Sequence, residues 1–179
     1  MAGRHVALLR GINVGRAKRI AMADLRALIT SLGYGDVATL LNSGNVVFTV
    51  PNKASGDPGD RIEKAILRKL GVQSRVTVVT PAELATIVGE NPLEHLATNP
   101  SRFLVTVLSD AKDRTLLAPL ARQEWAPDAL AVGKRWAYAW CESGFLESPL
   151  SRALGKALGD RATSRNWATM TKLHALATE

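Results

Sequence analysis

One order of elements runs twice through this chain and restricts its fold more than any other feature: strand, amphipathic helix, then two strands joined by a tight glycine turn. In the first copy, Val6 to Leu9 reads as a buried strand. Met22, Leu25, Leu28, Ile29 and Leu32 then recur at helical spacing, and Gly33 follows where a C-terminal cap belongs. Val37 to Leu41 and Val46 to Val50 flank Asn42-Ser43-Gly44-Asn45, residues that tolerate the positive φ of a hairpin turn. Ile62, Ile66, Leu67 and Leu70 form a second helical stripe closed by Gly71, and Val76 to Val79 supplies a fourth strand. The order is βαββαβ, the split βαβ arrangement of ferredoxin-like folds.

Thr80-Pro81-Ala82-Glu83 joins a capping box to a proline at the first helical position, so a connector helix runs from there to Asn91-Pro92. The second copy follows. Phe103 to Leu108 is a strand, and Leu116, Leu117 and Leu120 mark a helix that Pro119 kinks or shortens. Ala129 to Val132 and Arg135 to Cys141 flank the turn Gly133-Lys134. Ser148-Pro149 opens a helix carrying Leu150, Leu154 and Leu158, which Gly159 ends. A last helix is predicted from Thr163 or Ser164, burying Trp167, Met170 and Leu173, and no fourth strand is evident in this half. The expected fold is α/β of the α+β type: two ferredoxin-like βαββα(β) halves, a duplication, plus a C-terminal helix. The halves are 1–80 and 101–179, joined by a connector at 81–100.

No apolar run approaches the roughly 20 residues that span a bilayer. Val6 to Leu9 is shorter than the roughly 7–15 apolar residues of a secretory signal. The expectation is a cytoplasmic protein with no membrane partner. The single Cys141 cannot form an internal disulfide and reads as a buried, inert thiol. The net charge of +7 is uneven: residues 1–30 carry +5, residues 150–179 carry +3, and the long middle carries −1. Such a distribution favours acidic partners if the fold brings the ends together.

In a βαββαβ unit the first two strands are parallel, with the third antiparallel between them. The loop leaving strand one and the turn joining strands two and three therefore share a sheet edge. Here these are Arg10-Gly11-Ile12-Asn13-Val14-Gly15-Arg16 and Asn42-Ser43-Gly44-Asn45. Glycines allow close backbone approach, and consecutive N–H groups in such turns form anion-binding nests. Arg10, Arg16, Lys18 and Arg19 add charge, and the helix near Met22 presents its positive end. The competing explanation is that glycines and asparagines merely satisfy tight turns. Neither the Walker lysine arrangement nor the dinucleotide glycine spacing is present.

Arg165 and Asn166 are expected in the first turn of the last helix, behind a hydroxyl N-cap. A cation there opposes the helix dipole, so an anion or a buried carboxylate would compensate it. Excess positive charge at both chain ends joins Arg165 and Asn166 to the loop-edge site. His5, His95 and His174 lack metal-pair spacing, so no metal site is expected, and no cofactor is implied. Asp24 is the one candidate base near the loops, although dipole stabilisation alone explains it. Ser43 has no evident base partner.

Trp136, Tyr138 and Trp140 share one face of a strand. Such rows stack bases in single-strand binders, but a core face or the contact between halves accounts for them better, given the area these rings bury. Three functional readings follow. The first is a binding protein for a phosphorylated or other anionic ligand, small molecule or nucleic acid, at the Gly/Asn edge. The second is an enzyme acting at the same edge, and the third a protein-interaction module using strand 136–140.

Val6-Ala7-Leu8-Leu9-Arg10-Gly11-Ile12-Asn13-Val14-Gly15, Met22-Ala23-Asp24-Leu25-Arg26 and Asn42-Ser43-Gly44-Asn45-Val46-Val47-Phe48 closely resemble the bacterial family DUF1697. Thr163-Ser164-Arg165-Asn166-Trp167 and Lys172-Leu173 look like its closing motif. The resemblance covers nearly the whole chain and implies an α/β fold of two related halves, with no activity attached. The chain departs from the family pattern at two places. Arg16-Ala17-Lys18-Arg19 stands where the family often has a Gly/Lys/Asn-rich stretch, and Ala168 where an asparagine often follows the tryptophan. If that asparagine serves a ligand, this chain lacks the contact.

Overall fold

The computed structural model describes residues 3–179. The chain divides into two compact units. The first runs to Leu84 and includes Leu173–Glu179; the second is Ala85–Lys172.

The first unit holds β1 (His5–Leu9), α1 (Met22–Ser31), β2 (Gly35–Leu40), β3 (Asn45–Thr49), α2 (Pro58–Leu70) and β4 (Val76–Val79), with the sheet in the order β2-β3-β1-β4. Every neighbouring pair in this sheet is antiparallel. Ala7, Leu9, Val46 and Phe48 cluster with Leu25, Ile29, Ile62 and Ile66 of the helices. Val6, Leu8, Val47 and Val79, which alternate with that set, are also fully buried. Burial of both faces explains why these strands read as continuous apolar runs instead of alternating ones. Helix α2 begins at Asp57, whose carboxylate accepts the Asp60 N–H, and stops at Gly71, where φ is 67°. Leu67 lies on the expected stripe of α2 but is exposed, and Ala65 is buried instead.

The second unit begins within α3 (Pro81–Gly89), whose start is the expected capping box: the Thr80 N–H donates to the Glu83 carboxylate, and the Glu83 N–H to the Thr80 hydroxyl. Then follow β5 (Phe103–Leu108), a 3-10 segment Ala111–Leu117 running into the short α4 (Ala118–Ala121), β6 (Ala129–Val132), β7 (Trp136–Trp140), α5 (Pro149–Leu158), β8 (Ala162–Asn166) and α6 (Trp167–Thr178), whose residues from Leu173 on belong to the first unit. The sheet order β6-β7-β5-β8 reproduces that of the first unit, strand for strand. Two ferredoxin-like halves of one topology are therefore present.

Strand β8 corrects the sequence reading, which has a helix beginning at Thr163 or Ser164. The segment carries no apolar periodicity because it is an edge strand, held by backbone pairing with β5 from Leu104↔Asn166 to Leu108↔Ala162. A Thr106–Ser164 hydroxyl contact of 2.8 Å adds a side-chain tie. The last helix consequently starts at Trp167, and its cap is neither expected hydroxyl: the Asn166 side-chain oxygen accepts the Thr169 N–H at 2.8 Å. Replacing Asn166 by alanine should cost about 1 kcal/mol of stability, and by aspartate much less. Urea denaturation of the two variants measures the difference; equal midpoints would remove the capping role.

The aromatic row of β7 lies in the core. Trp136, Tyr138 and Trp140 are all buried, and Phe103 and Trp167 pack around Tyr138 at ring distances of 6.2 and 6.5 Å. The Tyr138 hydroxyl donates to the Ile87 carbonyl at 2.8 Å and accepts from the Trp136 indole at 3.2 Å. Cys141, one residue beyond the strand, is buried, and desolvation pushes its thiol pKa up, as befits an inert packing residue.

Candidate functional site

The loop after β1 and the β2–β3 turn meet at one edge of the first sheet, and each contact between them has an identifiable cause. The Leu9 N–H donates to the Gly44 carbonyl at 2.9 Å, which ties the hairpin tip to the end of β1. Gly44 sits at φ 90°, and a Cβ there would lie 2.7 Å from the Leu9 Cβ and 2.9 Å from the Ile12 Cδ1. Only glycine fits. Ile12 is buried and anchors the loop.

Asn13, at φ 55°, is the clamp. Its side-chain amide donates to the Ile20 carbonyl at 2.9 Å and the Asn42 carbonyl at 2.7 Å, while its oxygen accepts the Ile20 N–H at 2.8 Å. Asn45 is buried, and its amide donates to the Leu40 carbonyl and the Ser43 hydroxyl. Both asparagines therefore do the turn-satisfying work that the competing sequence explanation assigns them.

A recess of about 290 Å³ opens at this edge, lined by Asn13, Arg19, Ile20, Ala21, Met22 and Asn42. It lies at the start of α1, where the N-cap position is Ala21 and no side chain caps the first-turn amides. Those N–H groups carry the positive end of the helix dipole. The Arg19 guanidinium, held by the carbonyls of Asn13 and Gly15 at 3.4 and 3.2 Å, stands on the wall. Arg10, Gly11, Gly15, Arg16, Lys18, Asn42 and Ser43 are exposed on the same two loops. Asp24 lies in the first turn of α1, on its exposed side.

Arg19, expected only as added charge, takes a place on the wall. Two contributors escaped the sequence reading, and the first, the missing N-cap, was visible as Arg19-Ile20-Ala21, a helix start without Ser, Thr, Asp or Asn. The loop before β4 joins the same edge: the Arg10 N–H donates to the Arg75 carbonyl at 3.0 Å, and the Ser74 hydroxyl to the Arg10 carbonyl at 2.8 Å. β4 runs antiparallel beside β1, so the topology required this neighbour.

Arg165 and Asn166 belong to the second unit, on β8, and not to a helix turn. The dipole argument for an anion beside Arg165 therefore lapses. Arg165 pairs with Val105, is half-buried, and donates to the Ser164 carbonyl at 2.9 Å. Burial lowers its pKa to about 10, which leaves it a cation at neutral pH. Asn166 spends its oxygen on the α6 cap.

Among the described residues, no helix is long and apolar enough to cross a membrane. A family model described as a protein of unknown function, DUF1697, matches residues 2–138. No curated protein matches the chain. Among solved structures, a conserved bacterial protein, SP0830, from Streptococcus pneumoniae is similar over 100% of both chains, at a TM-score of 0.81 and 22% identity. That likeness is one of fold.

Proposed function

The chain belongs to the DUF1697 family of proteins of unknown function, and from that premise we propose that it binds a phosphorylated or similarly anionic ligand at the loop edge of its first unit. The observation that carries this reading is the recess lined by Arg19, Ala21 and Met22 at the start of α1, a helix whose N-cap position, Ala21, makes no side-chain cap bond. Helix starts of this kind favour phosphate and carboxylate groups, because oriented N–H donors and the dipole act together. Arg10, Arg16 and Lys18 supply attraction at longer range. Asn13 and Gly44 serve the site indirectly, by holding the two loops in register.

The reading is tested by thermal melts in inorganic phosphate and in nucleoside monophosphates at low ionic strength. A ligand that binds only the folded state raises the melting temperature with concentration, by about 2.7 kcal/mol of stability at a hundredfold excess over its Kd. Arg19→Ala should blunt the rise measured against its own ligand-free melt. The same titration on Arg165→Ala decides whether the β8 cation takes part: an undiminished rise confines the site to the first unit. A melt that no anion moves would overturn the proposal.

A further inference from the structure

We propose that the ligand of this edge is the phosphodiester chain of a single-stranded nucleic acid, contacted at several phosphates with its bases against two exposed aliphatic side chains; this rests on the anion-binding reading above. Val14 is 74% exposed and Leu41 is 56% exposed. They lie on the two loops that the Asn13–Asn42 hydrogen bond holds together. Leu41 adopts φ 60°, a conformation that asparagine or glycine takes with far less strain. Backbone preference does not account for a leucine there, and more than half of its surface is exposed. Both apolar side chains present most of their surface to solvent.

The charge around them decides what covers them. Arg10, Arg16, Lys18 and Arg19 come from one loop, and Arg75 stands opposite Arg10 on the neighbouring strand, one step beyond the Leu9↔Val76 pair. Arg75 pairs with the Glu63 carboxylate at 3.9 Å, and its side chain is 44% exposed. The segments 10–23, 41–45 and 71–75 contain no Asp or Glu, and the next carboxylate in the chain is Asp24, exposed in the first turn of α1. Four strands at about 4.8 Å spacing spread the edge over roughly 14 Å, more than one phosphate group occupies. Inorganic phosphate would meet the cations and leave the aliphatic pair uncovered. A duplex turns its base faces inward. An unpaired strand presents phosphates and base faces side by side, which matches this juxtaposition.

The experiment is fluorescence anisotropy with a labelled oligouridylate and with a duplex of equal length, across a salt series. Single-strand affinity should fall with salt at a log–log slope of about −0.7 for each phosphate neutralised, so three contacts give about −2. Arg10→Ala and Arg16→Ala should each make the slope shallower. Leu41→Asn, which suits the turn conformation and keeps the fold, should weaken binding about fivefold with the slope unchanged, because it removes apolar contact and no charge. Equal binding of duplex and single strand would overturn the proposal, as would an unchanged affinity in Leu41→Asn. If phosphate raises the melt and the oligonucleotide does not bind, the anion site stands and the nucleic-acid inference falls. If neither binds, both fall.

Discussion

Replacing Phe48 by alanine should remove about 3–5 kcal/mol of stability, the range for truncating an enclosed aromatic ring. Phe48 is fully buried on β3, directly opposite His5 of β1. Its ring meets Tyr34 at 5.0 Å and His5 at 5.9 Å, and it shares a cluster with Leu25, Ile29, Ile62 and Ile66 from both helices of the first unit. The loss has two parts, the transfer of the ring to water and the cavity left between sheet and helices, which rigid strands cannot close. Set against the roughly 5–15 kcal/mol of a whole domain, the change brings the fold close to its threshold. Urea denaturation followed by circular dichroism measures it. A midpoint equal to the parent's would mean that the ring is not enclosed.

Gly44→Ala should cost about 2–5 kcal/mol, combining overpacking of roughly 1–3 with a left-handed backbone penalty of roughly 1–2. The methyl group would fall 2.7 Å from the Leu9 Cβ, an atom fixed to the backbone of a central strand. The 2.9 Å approach to the Ile12 Cδ1 adds a second conflict, although that side-chain end is freer to move. Gly11→Ala is the control. Its φ of 69° is also left-handed, but nothing lies within 4 Å of the added methyl. It should cost only the backbone part, about 1–2 kcal/mol, so the difference between the variants isolates the steric part. Because the Leu9–Gly44 hydrogen bond joins the hairpin tip to β1, Gly44→Ala should also weaken the anion-dependent rise in melting temperature more than Gly11→Ala does. Equal losses of stability in the two variants would show that the hairpin tip shifts to make room.

The first six elements were legible because short-range physics marks them. Apolar runs at β1, β3 and β4 reflect burial on both sheet faces. Gly33 and Gly71 mark where α1 and α2 end, and Asn42-Ser43-Gly44-Asn45 permits a tight reversal. Each of these is a property of a residue and its close neighbours in the chain. Strand β8 was not legible, since Ala162–Asn166 pairs through its backbone to a strand some 60 residues earlier and shows no strand pattern in its side chains. The error carried Arg165 and Asn166 into a helix turn they do not occupy.

The candidate site divides along the same line. Its two principal loops were placed at one edge by strand order alone, and its cations were countable in the sequence. The duties of its polar side chains depended on tertiary distances. Asn13 became a clamp because Asn42, 29 residues away, lies within hydrogen-bond reach, and Asn45 became a buried brace. Arg75 reached the edge only through the pairing of β4 with β1. The row Trp136, Tyr138 and Trp140 is spaced equally well for stacking bases or filling a core. The Tyr138 bond to the Ile87 carbonyl and the packing of Trp167 placed it in the core. Sequence by itself determined which segments are strands, helices and turns wherever periodicity and glycine chemistry act locally. Only the tertiary structure decided which polar groups satisfy one another and which face solvent, because a hydrogen bond between distant residues depends on distance in space and leaves no period in the chain.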